Sequence, residues 1–450
     1  MNENMNLPHE DNAIRKRFSA IHMDRQSWLL LVLSLVPASV LWIGDMWENT
    51  VWEALHMPAV HLTILSLSLL AVRKRARFTP MTGCLLALDA ALILLGVIHR
   101  NSFLMGINCL LIPMLTGLTL LTAAGINQSE LLSADSLLET LSRGFRGLFA
   151  YIPVPLFQLN GNAGILRKLA GGLLALFVCM PILLIVLALL SEADVVFLGW
   201  LSSLLEMLPD LTESPILPRL FLTIVTALML FSWSFSLTQH GRDFAPIQRI
   251  QIPMVFPGVL LTLLNVIYVL FVYIQFSNLF GGAESAAMTG GYAQYARSGF
   301  FQLTAVAAIN LLVIALAVPN SRNVWIRAMV LIMAAATGVI LASAIWRMRL
   351  YISVYGLTVL RVLTLWGMAA IAALLIVACI SLFAPRFRAF RAGMICLLVL
   401  WLALNAVNID AIIANYNVDA YLSGKLTEID LDYLRTLSSS EKALFRLENE

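Results

Sequence analysis

The chain has 450 residues, of which 60% are hydrophobic and only 12% charged, with a formal net charge of +3. A soluble domain carries about a quarter charged residues, so this composition excludes an ordinary soluble globular protein and names lipid as the main solvent. The basic residues are spread over short loops, which speaks against a nucleic-acid partner.

Residues 1–26 form a polar N-terminal segment with Arg15, Lys16, Arg17 and Arg25, and no A-x-A site follows the first apolar run, so the first span is expected to be an uncleaved anchor. Crossing the bilayer core takes roughly 20 apolar residues of helix. By that criterion the chain holds about eleven spans, near 27–44, 54–72, 81–98, 102–123, 169–190, 216–238, 252–280, 300–318, 324–346, 354–383 and 391–408. The expected fold is therefore all-α: a polytopic transmembrane helical bundle with amphipathic interfacial helices and a short helical C-terminal tail. Its parts are a first four-helix membrane segment (27–123), an amphipathic linker (124–168), a seven-helix membrane segment (169–408) and a polar helical tail (409–450).

Lys and Arg stay on the cytoplasmic side of short loops. With the N-terminus inside, the inner segments hold Arg73, Lys74, Arg75 and Arg77, then Arg143, Arg146, Arg167 and Lys168, and later Arg242, Arg249, Arg322, Arg327, Arg386, Arg388 and Arg391. The outer loops are acidic or neutral, as with Asp45, Glu48 and Glu53 after the first span and Glu192, Asp194, Glu206, Asp210 and Glu213 after the fifth. The tail then lies outside. Residues 126–168 mix Leu, Phe and Tyr with four basic residues, as a helix on the inner leaflet would, and Val195–Leu211 has a similar apolar face for the outer interface. Within the tail, Ser438 to Glu441 reads as a capping box that opens a last short helix.

The cysteines Cys84, Cys109, Cys179, Cys379 and Cys396 all lie in apolar runs, without CxxC pairs or histidines at ligand spacing. No metal or cofactor is expected. Polar groups inside spans are costly, so they carry the information. Asp89 sits in the middle of the third span; it is read either as an intramembrane proton or ion coupling residue or as a buried hydrogen bond, with Asn108 as the candidate partner. Asn265, Asn310, Asn405 and Asn408 are read as interhelical hydrogen-bonding residues.

The string RMRLYISVYGLTVLR, 347–361, places Arg347, Arg349 and Arg361 at the outer start of the tenth expected span, against the positive-inside trend. As one helix, it gathers Arg347, Tyr351, Tyr355, Thr358 and Arg361 within an arc of about 120°. Guanidiniums offer forked donors to carboxylate or phosphate, so this face is a candidate anion or lipid-headgroup site, the alternative being snorkelling arginines in an aromatic belt. Gly356 is a candidate break in the helix. Tyr295 and Arg297, in the outer loop YAQYARSGFFQL from 292 to 303, belong to the same expected side, with Tyr292 and Glu284 nearby in sequence.

YARSGFFQL, YGLTVLR from Tyr355 to Arg361, and NAVNIDAIIANYNVDAYLSGKLTEIDLDYL from Asn405 to Leu434 together resemble a bacterial family of uncharacterised multi-pass membrane proteins, domain of unknown function 4173. The resemblance covers mainly the last 170 residues. Ser298 stands where a charged residue is expected in that family. The resemblance implies the bacterial plasma (inner) membrane, but no activity, substrate or cofactor.

Three functions remain open. One is a sensory, regulatory or envelope accessory protein, which binds a membrane protein partner through its external tail and loops. The alternative is a transporter or flippase-like protein for an anionic solute or lipid, using Asp89 for coupling; it lacks paired broken helices or an internal repeat. The third is a membrane-embedded transferase with Asp45 and Glu48 in its first outer loop, for which no H-E-x-x-H, G-x-S-x-G or P-loop string adds support. No catalytic residue is assigned.

Overall fold

A computed structural model describes residues 23–43, 50–99, 101–155, 186, 190, 199, 203, 216–239, 255–280, 300–318, 323–384 and 386–449. In chain order the helices are α1 (Arg25–Leu33), α2 (Leu35–Trp42), α3 (Thr50–Val72), α4 (Pro80–Ile98), α5 (Ser102–Ala123), α6 (Ala134–Ala150), α7 (Ile216–Thr238), α8 (Val255–Phe280), α9 (Phe300–Ala317), α10 (Val324–Tyr355), α11 (Val359–Phe383), α12 (Ala389–Ala406), α13 (Ile409–Leu422), α14 (Leu431–Thr436) and α15 (Glu441–Asn449). The described residues contain no strand.

Eight of these segments are long and apolar enough to cross a bilayer: α1 with α2, then the Leu55–Val72 part of α3, α4, α5, the Arg219–Thr238 part of α7, α10, α11 and α12. Shorter apolar stretches lie at Gly258–Tyr273 and Phe301–Ala317. The protein is an all-α polytopic membrane protein. The span expected at 169–190, the interfacial stretch Val195–Leu211 and the loop carrying Tyr295, Arg297 and Ser298 fall almost wholly outside the described residues.

The chain forms two compact units. The first comprises residues 1–97, 108–129 and 136–244. Its core gathers Leu30, Leu67, Val72, Leu120, Leu121, Phe231, Phe235 and Leu237. Lipid tails are as apolar as these side chains, so burial in such a bundle is driven by close packing and by hydrogen bonds between helices more than by water exclusion. Such bonds run from Trp42 Nε1 to Thr226 Oγ1 at 2.8 Å and from Trp233 Nε1 to Ser68 Oγ at 3.1 Å. Arg75 Nη1 donates to the Thr238 carbonyl at 2.6 Å, which places a cation on the negative end of α7.

The second unit comprises residues 98–107, 130–135 and 245–450, with a core of Leu261, Ile314, Ala317, Ile326, Val330, Met333 and Leu382. Asn310 Nδ2 donates to Thr337 Oγ1 at 3.0 Å and Asn265 Nδ2 to the Met329 carbonyl at 2.9 Å, so these two asparagines join neighbouring helices. Asn405 Nδ2 also donates to Trp401 O, one turn earlier in α12. Asn408 caps α13 and donates to Ser439 Oγ.

α10 runs for 32 residues without interruption, so Arg347 and Arg349 end the ninth expected span and do not open the tenth. At a rise of about 1.5 Å per residue it measures about 48 Å, against a hydrocarbon core of about 30 Å. The helix is therefore longer than the hydrocarbon core is thick. Gly356 then stops it with φ at 75°, and only three residues separate α10 from α11.

Candidate functional site

The string 347–361 is not one helix, because Gly356 turns the chain; the arc expected for a single helix does not exist. The turn nevertheless returns Arg361 to the same place. Its guanidinium carbon lies 4.4 Å from the centroid of the Tyr351 ring, and the Tyr351 and Tyr355 rings are 4.9 Å apart. Arg361 Nη1 donates to Tyr355 O at 2.8 Å and also to Gly356 O. The arginine thus closes the carbonyl end of α10, where a cation is favoured by both hydrogen bonding and the helix dipole. Thr358 caps α11 by accepting from Arg361 N. Arg347 lies on the Tyr351 and Tyr355 stripe of α10, one turn earlier. Tyr295 and Arg297 lie outside the described residues.

The tail fastens this turn. Asn417, 7% exposed in α13, pairs with the backbone of Leu357 like a strand neighbour, its Oδ1 accepting from Leu357 N at 2.6 Å and its Nδ2 donating to Leu357 O at 2.9 Å. Its Oδ1 would also stand only 2.6 Å from a Cβ at position 356, so glycine is required there twice over. Tyr433 Oη accepts from Val359 N at 2.9 Å, filling one of the orphan donors that open α11. Burial pushes the Tyr433 phenol above its ordinary range; the Val359 bond pulls the other way, and Asp410 adds to the rise.

Asp410, 4% exposed, is the second anchor. Its Oδ1 accepts from Asn101 Nδ2 at 2.6 Å, and its Oδ2 accepts from Ser438 N at 3.0 Å and Ser438 Oγ at 2.6 Å. Asn101 in turn caps α5, accepting from Leu104 N at 3.1 Å. Ser438 therefore does not cap the last helix as the capping-box spacing suggested. That helix opens at Glu441 after Ser440, whose carbonyl accepts from Leu444 N. A buried carboxylate with three donors outcompetes a local cap.

Between these anchors lies a cleft of about 480 Å³ in the second unit. Asn101, Ser102, Thr358, Asp410, Tyr433, Thr436 and Ser438 supply its polar wall, and Phe103, Val359, Leu360, Leu363 and Leu437 its apolar wall. Of the residues expected from sequence to form an anion or coupling site only Thr358 lines it, together with Ser438, which the sequence suggested as a helix cap. Asn101, Asp410 and Tyr433 carried one available signal, a costly polar residue beside or just past an apolar run.

Asp89, in the first unit, is fully buried; its Oδ2 accepts from Thr116 Oγ1 of α5, and its Oδ1 has no hydrogen-bond partner. The expected partner Asn108 lies two turns earlier on that helix. Cys84, Cys109, Cys379 and Cys396 are unbridged, and among the described residues no group of three or more His, Cys, Asp or Glu could hold a metal ion.

The model of a family described as Domain of unknown function (DUF4153) matches residues 84–446. The chain belongs to that family. The family number differs from the 4173 suggested by the C-terminal strings, and the match reaches back to the third expected span, well beyond the last 170 residues. Asp89, α6, both tail anchors and every residue of the cleft fall inside it. No curated protein and no solved structure matches the chain.

Proposed function

We propose that this protein is a sensory, regulatory or accessory component of the bacterial inner membrane, and that its cleft takes the headgroup of an anionic lipid or solute. The observation that carries the reading is that Tyr433 and Ser438 belong at once to the cleft wall and to the tail's anchors. An occupant that displaces them weakens the hold of the residues after α13 on α11 and α13, so occupancy becomes a position of the C-terminal segment that a membrane partner can read. Ser102, Thr358, Thr436 and Ser438 offer hydroxyl donors to a headgroup, while Phe103, Leu360 and Leu363 accept an acyl chain. The positive-inside distribution supports an extracytoplasmic tail and a cytoplasmic N-terminus.

Native mass spectrometry of the purified chain tests this. Leu360 is 61% exposed, so Leu360→Trp fills the cleft without disturbing a core. Copurified phospholipid, or added inorganic phosphate, should fall by at least fivefold in that variant at unchanged melting temperature. Full retention of both defeats the cleft as the site.

A transporter is the second reading, and the unpartnered Oδ1 of Asp89 is the observation that favours it. A carboxylate inside a span with an open acceptor suits proton or cation coupling. Asp89→Asn should then abolish pH-dependent uptake in proteoliposomes at normal expression, whereas equal loss of expression would mark the residue as structural.

A further inference from the structure

α6 is amphipathic in the reverse of the usual sense for a helix packed on a protein. Ser136, Glu139, Thr140 and Gly147 are buried, while Leu138, Leu141 and Phe145 are 47%, 53% and 69% exposed. They follow one another at helical spacing, and Phe149 extends the stripe, its ring 5.2 Å from that of Phe145.

The buried face is held by several bonds within the first unit. Glu139 accepts from Gln128 N and Ser129 N at 3.1 to 3.3 Å and pairs with Arg143 at 2.8 Å, and Thr140 accepts from Asn127 Nδ2 at 2.9 Å. Gly147 meets α7 so closely that a Cβ there would lie 2.7 Å from Ser236 Oγ and 3.2 Å from Trp233 Cε3. Ser232 Oγ donates to Gly147 O at 2.5 Å and accepts from Tyr151 N at 2.9 Å. With its polar side turned to protein, the helix offers outward an apolar stripe flanked by the exposed Arg146.

We propose that α6 is an interfacial helix whose Leu138, Leu141 and Phe145 stripe is covered by phospholipid acyl chains of one leaflet. Three observations select lipid as the occupant. The stripe belongs to the same unit as lipid-compatible flanks such as Leu110 and Ile224, 79% and 55% exposed on apolar spans. Its docking partners Ser232, Trp233 and Ser236 lie in the last two turns of α7, so α6 sits near the end of a span and not at mid-bilayer. Exposed Arg146 follows Phe145, and a guanidinium tolerates headgroup phosphates at that depth but not the hydrocarbon centre. The consequence is a wedge in one leaflet rigidly joined to α7, which makes lipid packing an input to the first unit independently of the cleft.

Benzoylphenylalanine placed at Leu141 or Phe145 of the full chain, reconstituted in nanodiscs of phosphatidylethanolamine and phosphatidylglycerol, tests the proposal by intact mass after irradiation. The same probe at Lys442, an exposed residue of α15, is the reference. Both α6 positions should give single-phospholipid adducts in at least fivefold higher yield than Lys442. Protein–protein adducts at Leu141 and Phe145 would show a second copy on the stripe, and yields equal to the reference would show water there; either result overturns the assignment.

Discussion

Replacing Asp410 should free the tail without unfolding the spans. In Asp410→Ala the Asn101 amide, 7% exposed, and both Ser438 donors lose their acceptor. Hydrogen bonds to a charged group contribute about 1.5–3 kcal/mol each, and a buried donor left unpaired costs about 1–3 kcal/mol. The three bonds share one carboxylate and are not additive. Ser438 regains water when released, which leaves about 3 kcal/mol as the loss in the docked state. At about 1.4 kcal/mol per factor of ten, the opening of 425–449 should become roughly a hundredfold more frequent. Asp410→Asn keeps the shape but points an NH2 group at a donor, so it should behave similarly. Amide hydrogen exchange in detergent or nanodiscs resolves this, because the core amides of α10 and α11 should keep wild-type protection. A change below threefold for the tail in both variants, or equal deprotection of α10, would refute the reasoning.

Gly356→Ala should destabilise the α10–α11 turn by roughly 2–3 kcal/mol, combining a backbone conformation nearly reserved for glycine with the clash against Asn417 Oδ1, and lower the thermal transition of the purified protein. Tyr433 has a raised folded-state pKa, so its contribution to tail docking is fully present below the unfolded value near 10 and is lost as pH rises through the folded value. Stability of the tail should therefore fall more steeply above pH 10 in wild type than in Tyr433→Phe, read by tail proteolysis across pH; parallel curves would contradict it.

The spans were legible because hydropathy over about 20 residues is a sum that tertiary context rarely reverses. Within α6 the period of 138, 141 and 145 is carried by one helix, while the rest of the 124–168 linker, from residue 156, lies outside the described residues. The last turns of α10 were not legible, because Arg347 and Arg349 lower local hydropathy in a helix longer than the lipid core is thick. At Ser438 three consecutive serines offered alternative caps, and the choice was made by Asp410, which is remote in sequence. The Asn101–Asp410 pair spans 309 positions, and no local pattern announces a contact at that separation. The stack of Arg361 on Tyr351 arises from the turn at Gly356 and not from the single helix expected over 347–361, and that turn decides which carbonyls the guanidinium meets.

The length of α10 gives the molecule a lever. Gly356 and Leu357 sit at its tip, and Asn417 joins that tip to the tail. For a rod of about 48 Å, a tilt of about 10° at the far end carries the tip sideways by about 8 Å. Small changes in bilayer thickness that helices accommodate by tilting would thus arrive at the tail enlarged, as displacement of its moorings.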